Sequence, residues 1–223
     1  MEIGTEVEEF LRHLEFFSGF SPAALSKLIE TADQRSYLRG DMVFREDDEA
    51  TDLYIVRTGR VAISNRSPDG RESVLALMGT GDLFGEMALF DDQGRSAGAR
   101  ALEESQVVSI PFDALRTHFE EDAGALWNVV ALLVRRIRAA NDSIADSVFL
   151  DVTGRTAKRL LEIAGNRDDF TLPITQEELA GMVGASRERV NKAIAAFVRL
   201  GWISQNERVY KIVDRRKLTI RST

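Results

Sequence analysis

The 223-residue chain contains no cysteine, only two histidines and only four prolines. It also has no apolar run near the ~20 residues that a membrane-spanning helix requires. Each shortage excludes something. Without cysteine there is no disulfide, no thiolate zinc site, no cysteine-ligated iron–sulfur cluster and no cysteine nucleophile. His13 and His118 are the only imidazoles, and no cluster of carboxylates and histidines has metal-ligand spacing. A protein without a bound metal is expected. The acidic N-terminus lacks the basic and apolar pattern of a signal peptide, so a cytoplasmic protein with no membrane partner is expected. No nucleophile–base pair, metal motif or phosphate-loop lysine appears, so the chain does not read as an enzyme.

The charge that is present is unevenly spread. The net charge is −7, which taken whole argues against nucleic acid. Residues 1–150 carry 15 Lys and Arg against 27 Asp and Glu, whereas residues 151–223 carry 14 against 9. An acidic front joined to a basic tail puts any polyanion-binding surface in the last third. A solvated basic face with no partner has the same composition.

The first 30 residues predict two short helices. One covers Glu6 to Phe17, with Val7, Phe10, Leu11 and Leu14 at helical spacing. Ser21 and Pro22 supply an N-cap and a first-turn proline for a second, Ala23 to Thr31. From Gln34 to Ile110 short apolar segments, such as Asp52–Val56 and Arg60–Ser64, alternate with glycine turns. Those turns include Arg39-Gly40-Asp41, Thr58-Gly59, Ser67-Pro68-Asp69-Gly70 and Gly79-Thr80-Gly81-Asp82. The pattern predicts a small all-β sandwich or barrel. A short helix, Phe112 to Phe119, follows it.

Residues Glu121 to Ser147 contain one glycine and no proline. Leu126, Val130, Leu133, Ile137, Ala140 and Ile144 recur in steps of four and three, an a/d seam of almost three heptads. Such a helix either lies along its own domain or pairs with a copy of itself. Val129, Val134 and Val148 broaden the stripe, and one flank is expected to pack on the β domain.

The last third is the most informative. Thr153 to Ala164 predicts a helix with Ala157, Leu160, Leu161 and Ala164 on one face, followed by a polar turn, Gly165 to Asp169. Thr175-Gln-Glu-Glu178 is a capping box opening a helix that buries Leu179, Ala180 and Val183. Gly184-Ala185 turns the chain. Ser186 then caps a second helix to about Leu200, with Val190, Ala193, Ile194, Phe197 and Val198 inward. A short capped helix, a glycine turn and a longer helix make a helix-turn-helix. Its second helix offers Arg187, Glu188, Arg189, Asn191 and Lys192 at the N-terminal turns, where DNA readers meet the major groove. Arg can donate twice to guanine, and Glu can accept from cytosine. Two arginines at a helix N-terminus oppose its dipole, a mild cost offset when phosphates arrive. Trp202–Ser204 and Arg208–Val213 predict a two-stranded wing. An ordinary three-helix domain with a solvated charged face fits the same pattern.

The β segment, the heptad helix and Ser186-Arg-Glu-Arg-Val-Asn-Lys192 together resemble the cyclic-AMP receptor protein/fumarate–nitrate regulator (CRP/FNR) family of bacterial transcription factors, particularly its actinobacterial cyclic-AMP receptor-like members. The resemblance runs from about Phe16 to Val213. Its most specific pieces are Gly81-Asp-Leu-Phe-Gly-Glu86, Arg95-Ser96, Phe149-Leu-Asp-Val-Thr-Gly-Arg155 and the recognition helix. It implies an α+β fold: a cyclic-nucleotide-binding β-roll (a jelly-roll-like double-stranded β-helix) over residues 1–119, a dimerisation helix and hinge over 120–150, and a winged helix-turn-helix over 151–223. It also implies a homodimeric, sequence-specific DNA-binding regulator on a palindromic operator, with RNA polymerase as a further partner. Cyclic AMP would be its allosteric ligand, without haem or an iron–sulfur cluster. Arg187, Glu188 and Lys192 take the roles of base readers and Thr175 that of a phosphate contact.

By the same resemblance Gly85, Glu86, Met87, Arg95 and Ser96 form the phosphate cassette. Arg95 and Ser96 would hold the cyclic phosphate and Glu86 the ribose 2′-hydroxyl. Arg95 pairing with Glu86 or with Asp91-Asp92 is the bland alternative. The long helix departs from the family pattern, because Ala140-Asn141 stands where a hydroxyl and then a polar residue meet the adenine. Asn141 keeps its amide, whereas Ala140 loses one hydrogen bond, worth ~0.5–1.5 kcal/mol. Cyclic GMP, cyclic di-GMP and ligand-independent regulation stay open, as does a regulatory subunit that acts on a protein partner. Gly165–Pro173 is also shorter than in the enterobacterial prototype.

Overall fold

The structure, a computed structural model, describes residues 3–66 and 72–223, so the Ser67–Gly70 turn lies outside the described residues. The chain divides into two compact units. Unit 1 comprises Met1–Asn65 and Leu75–Arg138; unit 2 comprises Arg66–Val74 and Ala139–Thr223. No described helix is long and apolar enough to cross a membrane.

Unit 1 opens with α1 (Ile3–Arg12), a 3-10 turn (Glu15–Phe17) and α2 (Pro22–Ile29). The helix expected over Glu6 to Phe17 therefore breaks after Arg12. The 3-10 turn lets both Phe16 and Phe17 point inward, where they join Phe20 in one ring cluster. Ser21 caps α2 by accepting from the Ala24 amide. Eight strands follow: β1 (Asp33–Tyr37), β2 (Met42–Phe44), β3 (Asp52–Thr58), β4 (Val61–Arg66), β5 (Glu72–Met78), β6 (Leu83–Phe84), β7 (Gly98–Ala101) and β8 (Ser105–Pro111), with α3 (Met87–Asp91) between β6 and β7. They form two four-stranded sheets, ordered β1-β8-β3-β6 and β2-β7-β4-β5.

Strand β3 shows how the core is assembled. Its near-continuous apolar run is buried on both faces, and period-2 geometry shares it between two cores. Leu53 and Ile55 face a cluster that includes α1, α2 and the later helices, while Tyr54 and Val56 face a cluster shared with Val61 and Ala99 of the second sheet. The helical layer is completed by α4 (Phe112–Glu121) and the first half of α5 (Leu126–Phe149), which is preceded by a 3-10 turn at Ala123–Ala125. Asp122 caps that turn, so the long helix starts later than the composition suggested.

Unit 2 holds the end of α5, then α6 (Val152–Ala164), β9 (Asp169–Thr171), α7 (Gln176–Val183), α8 (Arg187–Arg199), β10 (Ile203–Asn206), β11 (Val209–Ile212) and α9 (Arg215–Arg221). The wing is a three-stranded sheet ordered β10-β11-β9, with one more strand than the sequence suggested. The capping box is complete: Thr175 Oγ1 accepts from the Glu178 amide at 3.1 Å, and Glu178 Oε2 accepts from the Thr175 amide at 2.6 Å. Gly184 ends α7 in the left-handed region at φ +66°, where a side chain would be strained. Val190, Ala193, Ile194 and Phe197 are buried as expected, but Val198 is exposed, because it lies past the edge of the packed face.

Candidate functional site

Two surfaces hold the residues singled out from the sequence. The first is a pocket in unit 1 with a cavity volume of about 80 Å³, lined by Phe44, Ile63, Met78, Phe84, Gly85, Glu86, Met87, Ala88, Arg95, Ser96, Ala97 and Arg136. The turn from β6 into α3 carries Gly85, Glu86 and Met87, and the segment before β7 carries Arg95 and Ser96. The fold thus brings together five of the seven residues expected at a ligand site. Ala140 and Asn141 lie on the half of α5 that belongs to unit 2.

Arg95 is only 4% exposed. Its Nη1 donates to the Gly85 carbonyl at 2.7 Å and its Nη2 to the Asp52 carbonyl at 2.8 Å. The guanidinium lies 4.3 Å from the Phe44 ring centroid and 5.2 Å from that of Tyr54. Burial pushes it below the ordinary arginine value, opposed by the nearby Tyr54 and Asp52. Such a site favours an anion that would restore the lost solvation. Among the described residues none of the alternative carboxylate partners pairs with Arg95: Asp91 accepts from the Gln93 amide, Asp92 pairs with Arg116, and Glu86 pairs with Arg136. Gly85 has φ +77°, and a Cβ there would sit 2.7 Å from Arg95 Nη1, so the backbone approach demands glycine.

Glu86, 1% exposed, gives Oε1 to Arg136, which also donates to the Leu83 carbonyl. Among the described residues Glu86 Oε2 and Arg95 Nε are buried without a partner. Ser96 Oγ rests against Met87 Sδ at 3.4 Å. A buried carboxylate oxygen and a buried guanidinium nitrogen left unpaired across one pocket invite a ligand with both a hydroxyl and an anionic group. Arg136 was not anticipated. It lies 50 residues from Glu86 and reads as a polar flank of a long helix.

The second surface is α8. Arg187, Glu188, Arg189, Asn191 and Lys192 are exposed. Arg187 and Arg189 make no side-chain hydrogen bond or ion pair among the described residues, and Lys192 meets only Glu188, one turn away, at 3.5 Å. Ser186 Oγ accepts from the Arg189 amide at 3.4 Å. Thr175 is exposed, and its capping oxygen still has a proton to donate. Two unpaired arginines and a lysine at the opening of a helix suit a polyanion.

Along α5 the structure sorts the heptad residues. Leu126 and Leu133 pack on the unit 1 core, as does the buried Val129. Val130, Ile137 and Ile144 are exposed, and so are Val134 and Val148, which the sequence had placed on the flank facing the β domain. These join Trp127 in a stripe with steps of three and four, in which Asn141 is the polar member. The histidines do not approach the pocket-lining set: His118 stacks on Phe20 at 3.9 Å in the helical layer, and His13 contacts the Glu9 carbonyl on α1.

Comparison with known proteins agrees with this geometry. Residues 34–122 match the cyclic nucleotide-binding domain family, and residues 154–220 match the Crp-like helix-turn-helix domain family. A CRP-like cAMP-activated global transcriptional regulator of Mycobacterium tuberculosis is 38% identical over 97% of this chain and 100% of its own length. The chain belongs to the CRP/FNR family. It is therefore a DNA-binding transcription regulator, not an enzyme, built from a cyclic-nucleotide-binding β-roll, a long helix and a helix-turn-helix domain. Solved CRP/FNR relatives share the fold. FixK2 from Bradyrhizobium japonicum matches with a TM-score of 0.78 at 22% identity, over 86% of this chain and 98% of that one. The c-di-GMP responsive regulator CLP of Xanthomonas campestris matches with a TM-score of 0.73 at 25% identity, over 86% of this chain and 99% of that one.

Proposed function

We propose that this regulator is a homodimer controlled by cyclic AMP in the unit 1 pocket. The observation that supports this reading is the pair of buried unpaired atoms, Glu86 Oε2 and Arg95 Nε, in a pocket that also contains Ser96 and the glycine approach at Gly85. A cyclic nucleotide has the matching groups. Glu86 would accept from a ribose hydroxyl, and Arg95 and Ser96 would donate to the cyclic phosphate. The relative's cyclic AMP dependence, carried in its name, points the same way. On the family resemblance Asn141 remains the candidate for the base by its amide, Ala140 offering no hydroxyl.

For the dimer, the exposed stripe Trp127, Val130, Val134, Ile137, Ile144 and Val148 replaces the seam read from sequence alone, which had used Leu126, Leu133 and Ala140. Such a stripe pairs with a second copy, and a single Asn at a seam position specifies register. Two-fold pairing would set two α8 helices about one DNA turn (~34 Å) apart on a palindrome. Thr175, Ser186 and Arg189 would hold phosphates, and Arg187, Glu188, Asn191 and Lys192 would face bases. A bacterial regulator that works on DNA would act in the cytoplasm. RNA polymerase enters the proposal on family grounds alone.

One observation favours a second reading. Arg136 already occupies Glu86 Oε1, and backbone carbonyls already hold Arg95 Nη1 and Nη2, so the pocket is largely satisfied by its own groups. A regulator that needs no nucleotide would look like this. Titration calorimetry with cyclic AMP, and with cyclic GMP and cyclic di-GMP as controls, separates the two. Saturable binding near one cyclic AMP per subunit is the expected result. Preference for another nucleotide would replace the ligand, and no binding of any would leave the ligand-independent regulator.

A further inference from the structure

The residues of α6 that neither read DNA nor touch the pocket are unusually committed. Arg155, in the first turn of α6, donates through Nε to the Val183 carbonyl at 2.7 Å, through Nη1 to the Leu150 carbonyl at 2.6 Å and through Nη2 to the Gly184 carbonyl at 3.4 Å. Arg159, one turn later, repeats the arrangement. Its Nε reaches the Met182 carbonyl at 3.4 Å and its Nη2 reaches Ser143 Oγ at 2.8 Å. Each guanidinium thus has one hand on the end of α5 or the residue just after it, and the other on the last carbonyls of α7.

Those carbonyls matter for a physical reason. The final carbonyls of a helix have no amide partners within it, and they form the negative end of its dipole. Here they also belong to the three residues, Met182 to Gly184, that lead into Ser186 and the start of α8. The planar fork of arginine can hold several acceptors in fixed directions, which a lysine cannot. All of these contacts lie within unit 2. Arg155 therefore fixes the turn before the recognition helix to the α5–α6 junction, the place where a change in α5 would have to be felt.

We propose that Arg155, supported by Arg159, is a positioning residue for DNA reading: it sets the direction of α8 relative to the end of α5 and touches no DNA itself. The inference rests on the reading of α8 as the DNA-binding helix. In the full chain, Arg155→Met is compared with wild type on two duplexes: a palindrome recovered from a random library by the wild-type protein, and a random-sequence duplex of equal length. The variant is expected to lose at least tenfold in affinity for the selected palindrome and less than twofold for the random duplex. The salt dependence on the random duplex should be unchanged. Arg155→Lys, which keeps the charge and one bond, is expected to recover only part of the loss, and it carries the test if the methionine variant does not fold.

An equal loss on both duplexes, with a salt slope lower by about one phosphate contact, would make Arg155 a phosphate ligand and overturn the proposal. Full affinity and specificity in a lysine variant of lowered thermal stability would reduce Arg155 to a fold-stabilising residue. A wild-type protein that selects no sequence either without nucleotide or with saturating cyclic AMP, cyclic GMP or cyclic di-GMP would overturn the DNA reading of α8 and this inference with it, and that result is visible before any variant is made.

Discussion

Arg95 and Arg187 carry the same charged group, and the two units treat them in opposite ways. In unit 1 the guanidinium of Arg95 is buried, bonded to two backbone carbonyls and stacked near Phe44 and Tyr54. In unit 2 the side chain of Arg187 is exposed and unpaired at the start of α8. A binding group for a small anion must be held ready in a dry pocket, where a desolvated charge acts strongly but costs stability unless it is bonded. One that reads a large, wet polyanion can remain solvated, because the partner supplies the missing charge. Arg155 is a third case, where the fork is spent wholly on the protein's own backbone.

The contrast predicts unequal consequences. Arg95→Ala removes the charge-assisted bonds proposed for the ligand and leaves the Gly85 and Asp52 carbonyls without their donor. Nucleotide affinity should fall by about 3 kcal/mol or more, and thermal stability should fall with it. Calorimetry and a melting curve together check this; full affinity in a destabilised variant would make Arg95 structural only. Gly85→Ala adds a Cβ at φ +77° against Arg95 Nη1. It should cost about 1–3 kcal/mol of unit 1 stability through backbone strain. A denaturant titration showing no change would mean that the pocket is looser than the geometry indicates.

Arg187→Ala should behave otherwise. A cost of about 1–3 kcal/mol is expected at one base position of the operator, with stability within about 0.5 kcal/mol of wild type. Binding measured over single-base variants of the operator checks the assignment, and an equal loss on every sequence would move Arg187 from base to backbone contact. The smallest effect belongs to Asp151, the N-cap of α6. The Gly154 amide, and then Arg221, hold its carboxyl below the usual carboxylate value. Its stabilisation is therefore complete above the unfolded value near 3.8 and is lost as pH falls through the lower folded value. Asp151→Asn keeps a capping oxygen but not the charge. Its deficit against wild type should be present at pH 6 and shrink below pH ~4; a deficit independent of pH would contradict the ion pair.

Unit 2 was the more legible region, because its signals are local. Thr175 with Glu178, and Ser186 with Arg189, are capping contacts three residues apart, a spacing that sequence displays directly. The pocket residues became candidates only through the family resemblance, since Gly85 and Arg95 meet across a loop. Arg136 meets Glu86 from a distant helix, and nothing local in sequence marks that contact. The helix α9 went unread because Asp214-Arg-Arg-Lys presents a basic tail with a single buried anchor, Leu218. The sequence alone did not separate the inward and outward faces of α5. A stripe serving both the unit 1 core and an outer face has two apolar edges, and only packing shows that Leu133 turns inward while Val134 turns outward.

On the proposed reading, an anionic nucleotide in the unit 1 pocket controls DNA binding by α8. The most direct measurement is fluorescence anisotropy of the selected palindrome with wild-type protein and Arg95→Ala, each with and without saturating cyclic AMP. Cyclic AMP should tighten wild-type binding at least tenfold and leave the variant unmoved. Equal wild-type affinity with and without the nucleotide would contradict it.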